Sequence, residues 1–383
     1  MSVSLKPVED QVIVITGATS GIGLTTAHRA ARRGAKLVLA ARDREALERV
    51  ALDIREQGGD AVHVVADVAD GEAVEQIANA AIRSWGHLDS WVNNAGVSIY
   101  ARLEDTPMED HRRLFETNYW GVVNGSLVAA KHLRRHGGAI INIGSVLSDR
   151  AIPIQGAYSA TKHAVKGFTN ALRMELEMDD VPVSVTLIKP GSIDTMYEEH
   201  AKNLLPEGAA TLPPPVYDPE LVARAILHAA EHPVRDLIVG GGGKLISMSE
   251  TWAPRLTDYM MERSMRRMQT DRRRRRSFDD SLHAPSHDGQ ESLGHHDYVR
   301  RTSLYTEAQL HPWTTTALLA GLGAAAWLAF GRSSGQDGGT RGSMQRPRRR
   351  YIEEYPDLEE GEIGHNAKPA GIAAREGHVV FPE

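Results

Sequence analysis

Gln11-Val12-Ile13-Val14-Ile15-Thr16-Gly17-Ala18-Thr19-Ser20-Gly21-Ile22-Gly23 opens the patterned part of this 383-residue chain. Val12 to Ile15 is a β-branched apolar run, which suits a strand buried on both faces of a parallel sheet. Leu24-Thr25-Thr26-Ala27-His28-Arg29-Ala30-Ala31 then reads as helix. Glycine lets the backbone turn tightly and approach a pyrophosphate, which then rests on the exposed amides of the helix N-terminus. A glycine pattern alone carries little weight. A strand before it and a helix after it make it a dinucleotide-binding loop.

Outward from this stretch, short apolar runs alternate with helical periods to about residue 240. Strands are predicted at 11–16, 36–40, 61–65, 88–93, 138–143, 183–188 and 235–239, with helical windows at 43–57, 70–85, 107–135, 156–178 and 218–232. Pro107 and Pro219 stand where helices begin, and Gly34 and Gly58-Gly59 where they stop. The alternation predicts an α/β fold, a Rossmann-type doubly wound parallel sheet of about seven strands.

A second pattern carries chemistry. Tyr158 and Lys162 are spaced i and i+4, so a phenol and an ammonium share one helix face. A phenol ionises near pH ~10 in water, too high for useful proton exchange at neutrality, and a neighbouring cation favours the phenolate. Such a pair can protonate a carbonyl oxygen or deprotonate an alcohol.

Taken together, these motifs resemble the short-chain dehydrogenase/reductase family over roughly residues 8 to 245. Thr16-Gly17-x-x-x-Gly21-x-Gly23 matches its cofactor loop, and Asn93-Asn94-Ala95-Gly96 its fourth-strand motif. Asn118, Ser145, Tyr158 and Lys162 match its catalytic tetrad in order and spacing, and Pro190-Gly191-Ser192-Ile193-Asp194-Thr195 its segment beside the nicotinamide. The resemblance implies Tyr158 as general acid or base, Lys162 lowering its pKa and holding the nicotinamide ribose, and Ser145 donating to the substrate oxygen. It implies Asn118 as holder of a water that links Lys162 to solvent. Cofactor contacts follow at Gly17, Thr19, Ser20, Gly21, Ile22, Gly23, Arg42, Asp67, Val68, Asn94, Ala95, Gly96, Pro190, Ile193 and Thr195, with Asp67 reaching the adenine amino group. Hydride passes directly between cofactor and substrate carbon.

Cofactor choice is read at Lys36-Leu37-Val38-Leu39-Ala40-Ala41-Arg42-Asp43. NAD-preferring relatives place an acid at the end of this strand; here stand Ala40, Ala41 and then Arg42, a guanidinium suited to a 2′-phosphate. Asp43 and Ser20 weigh against it, and NADP(H) is favoured over NAD(H). Val97, Val146, Leu147, Ile152 and Ile193 are expected to line the substrate pocket, under a lid at 196–215 with Tyr197, Leu204-Leu205 and Pro213-Pro214-Pro215. An apolar small-molecule ketone, aldehyde or alcohol fits these walls.

Composition narrows the alternatives. The chain has no cysteine, which excludes disulfides, thiol catalysis and zinc–thiolate sites. Its 17 histidines are scattered, so no metal site is expected. Lys6, Glu9 and Asp10 near the start leave no apolar h-region, so the chain reads as cytoplasmic-side and not secreted.

From residue 250 the character changes, and the domain reading becomes 1–250 catalytic, 251–312 basic and polar linker, 313–331 apolar helix and 332–383 disordered tail. Arg272 to Arg276 are five consecutive arginines, suited to anionic lipid or plain solvation, with no nucleic-acid-binding fold beside them. Residues 277–303 are polar and expected to be disordered. Residues 313–330 carry no charge, fall just short of the roughly 20 residues that span a bilayer, and have Trp313 and Trp327 near the ends. A membrane anchor through 313–331 is therefore expected. The functional expectation is an NADP(H)-dependent oxidoreductase, with a homo-oligomer left open. Its rivals are a non-catalytic NAD(P)-binding redox sensor or scaffold, and an epimerase acting on a sugar nucleotide, for which the folded region leaves little room.

Overall fold

The computed structural model describes residues 3–286 and 288–331. Seven strands form one parallel sheet: β1 (Val12–Thr16), β2 (Lys36–Ala41), β3 (Asp60–Val65), β4 (Ser90–Asn93), β5 (Gly138–Ile143), β6 (Val183–Pro190) and β7 (Asp236–Val239). Their spatial order is β7-β6-β5-β4-β1-β2-β3. The order reverses between β1 and β4, and in open α/β sheets ligands bind at the strand ends beside that reversal. Every β1, β5 and β6 residue is buried, the polar Asn142, Ser184, Thr186 and Lys189 included.

Helices α1 (Gly21–Arg32), α2 (Arg44–Glu56), α3 (Gly71–Trp85), α4 (Met108–Phe115), α5 (Gly121–Leu133) and α6 (Gly156–Met178) connect the strands. The predicted helix at 107–135 is interrupted by a π turn at Glu116–Trp120, which joins α4 to α5. Two apolar layers cover the sheet. One holds Ile13, Ile15, Leu37 and Leu39 against α1 and α2; the other holds Val12, Val14, Val38 and Trp91 against α3, α5 and the end of α6. Burying one such side chain stabilises by roughly 1.5–3 kcal/mol, so alternation along β1 and β2 secures both faces.

A buried polar network ties the sheet to its helices. Asn93 donates to Ser126 at 3.0 Å and to Asn142 at 2.8 Å, and accepts from the Trp91 indole at 2.7 Å. Asn142 donates onward to Thr169 at 3.0 Å. Every amide in it is paired, so β4, β5, α5 and α6 are locked in register.

The polar stretch beyond residue 250 departs from expectation. Residues 251–312 do not behave as a linker: a helix at Pro254–Met268 buries Thr257, Met261 and Met265 at i, i+4 and i+8. Leu282, inside the stretch expected to be disordered, has no exposed surface and packs with Val97, Leu114 and Leu147. Thr270–Asp271 pairs with Ala209–Ala210, and Val299–Arg300 with Val216–Tyr217. The arginine run is also engaged. Arg272 lies 2.6 Å from Glu207, Arg274 pairs with Glu198 and Glu199, and Arg276 donates to the Leu205 carbonyl. Few apolar anchors suffice because strand pairing and charge pairing supply the rest.

The expectation of a membrane-spanning helix finds no support. Among the described residues no helix is long and apolar enough to cross a membrane. Pro312–Gly331 is helical, and threonine, alanine and glycine make up most of it. The tail expected to be disordered, 332–383, lies outside the described residues.

Candidate active site

Tyr158 and Lys162 sit on the first turns of α6, and Ser145 lies just beyond β5, capping the short helical turn Val146–Ser148. All three line one cavity of about 390 Å³ beside the strand-order reversal. Burial pushes the Tyr158 hydroxyl up to about 12, while hydrogen bonds with Ser145 and Tyr197 pull it back down. Burial lowers the Lys162 ammonium to about 8. Its Nζ donates to the Ile143 carbonyl at 2.9 Å and stands 5.5 Å from the Tyr158 ring centroid. Burial dominates at the phenol, and the amine expected to lower it is itself desolvated.

Asn118 lies in the π turn with no exposed surface. Its Oδ1 accepts from the Val97 amide at 2.9 Å, and its Nδ2 donates to the Val97 carbonyl at 2.9 Å and to Thr161 at 3.1 Å. It lines neither cavity of the cleft, and it bonds the Val97 backbone and Thr161 rather than Lys162.

The cofactor candidates divide into two groups. Ile22, Asn94, Gly96, Pro190, Ile193 and Thr195 line the large cavity with the catalytic candidates. Gly17, Thr19, Ser20, Arg42, Asp67, Val68 and Ala95 line a smaller one of about 90 Å³, with Gly96 shared between them. Gly21 and Gly23 line neither and shape the loop instead. Gly17 has φ +64°, and a Cβ at Gly23 would stand 2.0 Å from the Gly17 carbonyl oxygen. Asn94 braces the loop, donating to the Thr16 and Gly17 carbonyls at 3.0 Å each. A loop held this tight, opening onto a helix N-terminus, suits a pyrophosphate at the amides left over once Gly21 has donated to the Gln290 carbonyl.

The adenosine end differs from its sequence reading. Both terminal nitrogens of Arg42 donate to backbone carbonyls, those of Ser281 and Leu282. Asp67 accepts from Arg113 and from the Ala69 amide at 3.0 Å.

Of the expected pocket wall, Val146, Leu147, Ile152, Ile193, Tyr197 and the three prolines line the large cavity; Val97, Leu204 and Leu205 do not. Tyr197 does more than close a lid. Its ring meets Tyr158 edge-on at 5.6 Å, and its hydroxyl donates to Ser98 at 2.7 Å and accepts from Gln155 at 2.9 Å. Leu212, Tyr217 and Met265 complete the wall. Met265 was not read from the sequence, because the surface that Met261 and Met265 cover is a tertiary matter.

A family model described as short chain dehydrogenase matches residues 11–204. The chain is 46% identical over 331 residues to the uncharacterized oxidoreductase YxnA of Bacillus subtilis (strain 168), covering 86% of this chain and 92% of that one. It is 38% identical over 192 residues to 11-beta-hydroxysteroid dehydrogenase A of Sesamum indicum, covering 50% and 54%. A solved short chain dehydrogenase/reductase from Burkholderia phymatum in complex with NAD superposes with TM-score 0.58 at 27% identity, over 64% of this chain and 94% of that one. L-Sorbose reductase from Gluconobacter frateurii, complexed with NADPH and L-sorbose, superposes with TM-score 0.53 at 25% identity, over 63% and 98%. With fold, motif order and these likenesses in agreement, this chain belongs to the short-chain dehydrogenase/reductase family of oxidoreductases.

Proposed function

We propose that the protein interconverts a ketone or aldehyde and an alcohol on an apolar small molecule, with a nicotinamide dinucleotide as redox partner and Tyr158 as the proton-transferring group. The observation that carries this reading is the convergence of the Tyr158, Ser145 and Lys162 side chains on one cavity that also contains the Pro190–Thr195 edge. A bound nicotinamide would supply or accept the hydride. Ile22, Asn94, Gly96, Pro190, Ile193 and Thr195 would hold its inner half, and the tight glycine loop its pyrophosphate.

With its pKa raised to about 12, Tyr158 holds its proton at neutral pH. It can therefore give that proton to a carbonyl oxygen as negative charge develops there. Ser145 donates a second hydrogen bond to the same oxygen. Lys162, charged below about 8, stabilises the phenolate left behind. Val146, Leu147, Ile152, Tyr217 and Met265 support an apolar substrate. The NADP(H) preference read from Arg42 loses its support, since the Ser281 and Leu282 carbonyls already take both terminal nitrogens.

The test is oxidation of reduced cofactor against a panel of apolar ketones and aldehydes, wild type beside Tyr158→Phe. The variant should lose about 10²–10⁴-fold in kcat. Equal rates in both proteins would eliminate Tyr158 as the acid.

A further inference from the structure

β2 ends in Ala40 and Ala41, so the strand itself offers no carboxylate to a ribose hydroxyl, and Arg42 and Asp43 follow it. The fold brings one from elsewhere. Asp288 accepts a hydrogen bond from the Thr19 hydroxyl at 2.6 Å, across 269 residues of sequence. It lines the small cavity together with Arg42, Asp43 and Asp67. Its side chain is 12% exposed, and His200 Nε2 stands 3.3 Å away.

The segment that carries Asp288 is held on both sides. The Gly289 amide donates to the Thr19 carbonyl at 2.8 Å, and the Gln290 carbonyl accepts from the Gly21 amide at 2.9 Å. Glu291 accepts from Thr25 at 3.2 Å and lies 2.6 Å from His28 Nδ1. On the other side, the Ser281 and Leu282 carbonyls cap Arg42, and the Leu282 carbonyl also accepts from Arg113 at 3.0 Å.

We propose that Asp288, supplied by the fold-back segment, makes the adenosine end of this cleft select NAD(H) over NADP(H). The proposal rests on the dinucleotide reading above. A ribose 2′-hydroxyl can donate to a carboxylate, which accepts at several lone-pair sites even while bound to Thr19 and His200. A 2′-phosphate brings about −2 charge and no useful donor, and meets three carboxylates there: Asp43, Asp67 and Asp288. Two guanidinium groups face the same space, but Arg42 is bound to backbone carbonyls and Arg113 to Asp67. The segment thus withdraws the cations a 2′-phosphate would use and presents an anion instead.

The test titrates NADH and NADPH into the full chain, following protein-to-nicotinamide fluorescence transfer, for wild type, Asp288→Asn and Asp288→Ser. Thermal unfolding of each variant checks that it is folded, and serine keeps a hydroxyl able to accept from Thr19. Wild type should bind NADH roughly tenfold or more tighter than NADPH, the size of a charge-assisted hydrogen bond. Both variants should bring that ratio close to one, weakening NADH and strengthening NADPH. A wild-type ratio near one, or the same ratio in the variants, overturns the proposal. Equal tightening of both nucleotides in the variants also overturns it, because the segment would then be a plug without selectivity. Binding of neither nucleotide overturns the dinucleotide reading together with this one.

Discussion

Tyr158 and Lys162 show how burial sets chemistry at single residues. Spacing alone places an amine beside a phenol, but it does not report that both are desolvated, so the two move away from their solution values in opposite directions. Lys162 falls from 10.5 to about 8. The sign follows from proton counts: between pH 8 and 10.5 the unfolded chain binds more protons at this residue than the folded one, so stability rises with pH there. Below pH 8 the full cost of burying the ammonium is present. Lys162→Met removes this dependence. The stability of wild type relative to the variant should rise by about 2 kcal/mol between pH 7 and pH 10. Urea unfolding at both pH values measures it, and a flat difference would show that Lys162 is not desolvated.

At the scale of elements, the regular parts were readable. The β-branched run at 12–15 reads as a strand buried on both faces, and the strands expected at 11–16 and 183–188 are observed at Val12–Thr16 and Val183–Pro190. The π turn at Glu116–Trp120 was not readable, because 107–135 has an uninterrupted helical period. It forms where Asn118 reaches across to Val97, a contact 21 residues away in sequence. Asn118→Ala leaves the Val97 amide and carbonyl buried without partners, at a cost of about 3 kcal/mol. Chemical denaturation measures this whether or not the enzyme turns over. A variant as stable as wild type would mean that water replaces the side chain and that the clamp is not structural.

Over the whole molecule, the fold-back beyond residue 250 is where sequence reading fell short. Polar composition argued for a spacer, yet Met261, Met265, Leu282 and Leu310 are all buried against the catalytic domain. Arg224 makes two bonds to Glu307, at 2.7 and 2.8 Å. Four buried anchors at roughly 1.5–3 kcal/mol each predict that a chain ending at Trp252 unfolds at least about 10 °C below the full chain. Differential scanning calorimetry of both tests this, and coincident midpoints would show that the segment is only loosely attached.

Motif spacing and apolar periodicity by themselves determined the parallel sheet, the glycine loop and the placing of Tyr158 beside Lys162 on one helix face. These depend on contacts between near neighbours along the chain and on which strand faces are buried. Only the tertiary structure decided that Arg42 is occupied, that Met265 walls the pocket, and that Asp288 meets Thr19. Each of those needs two segments far apart in sequence to meet, and neither periodicity nor composition encodes which distant partner will be there.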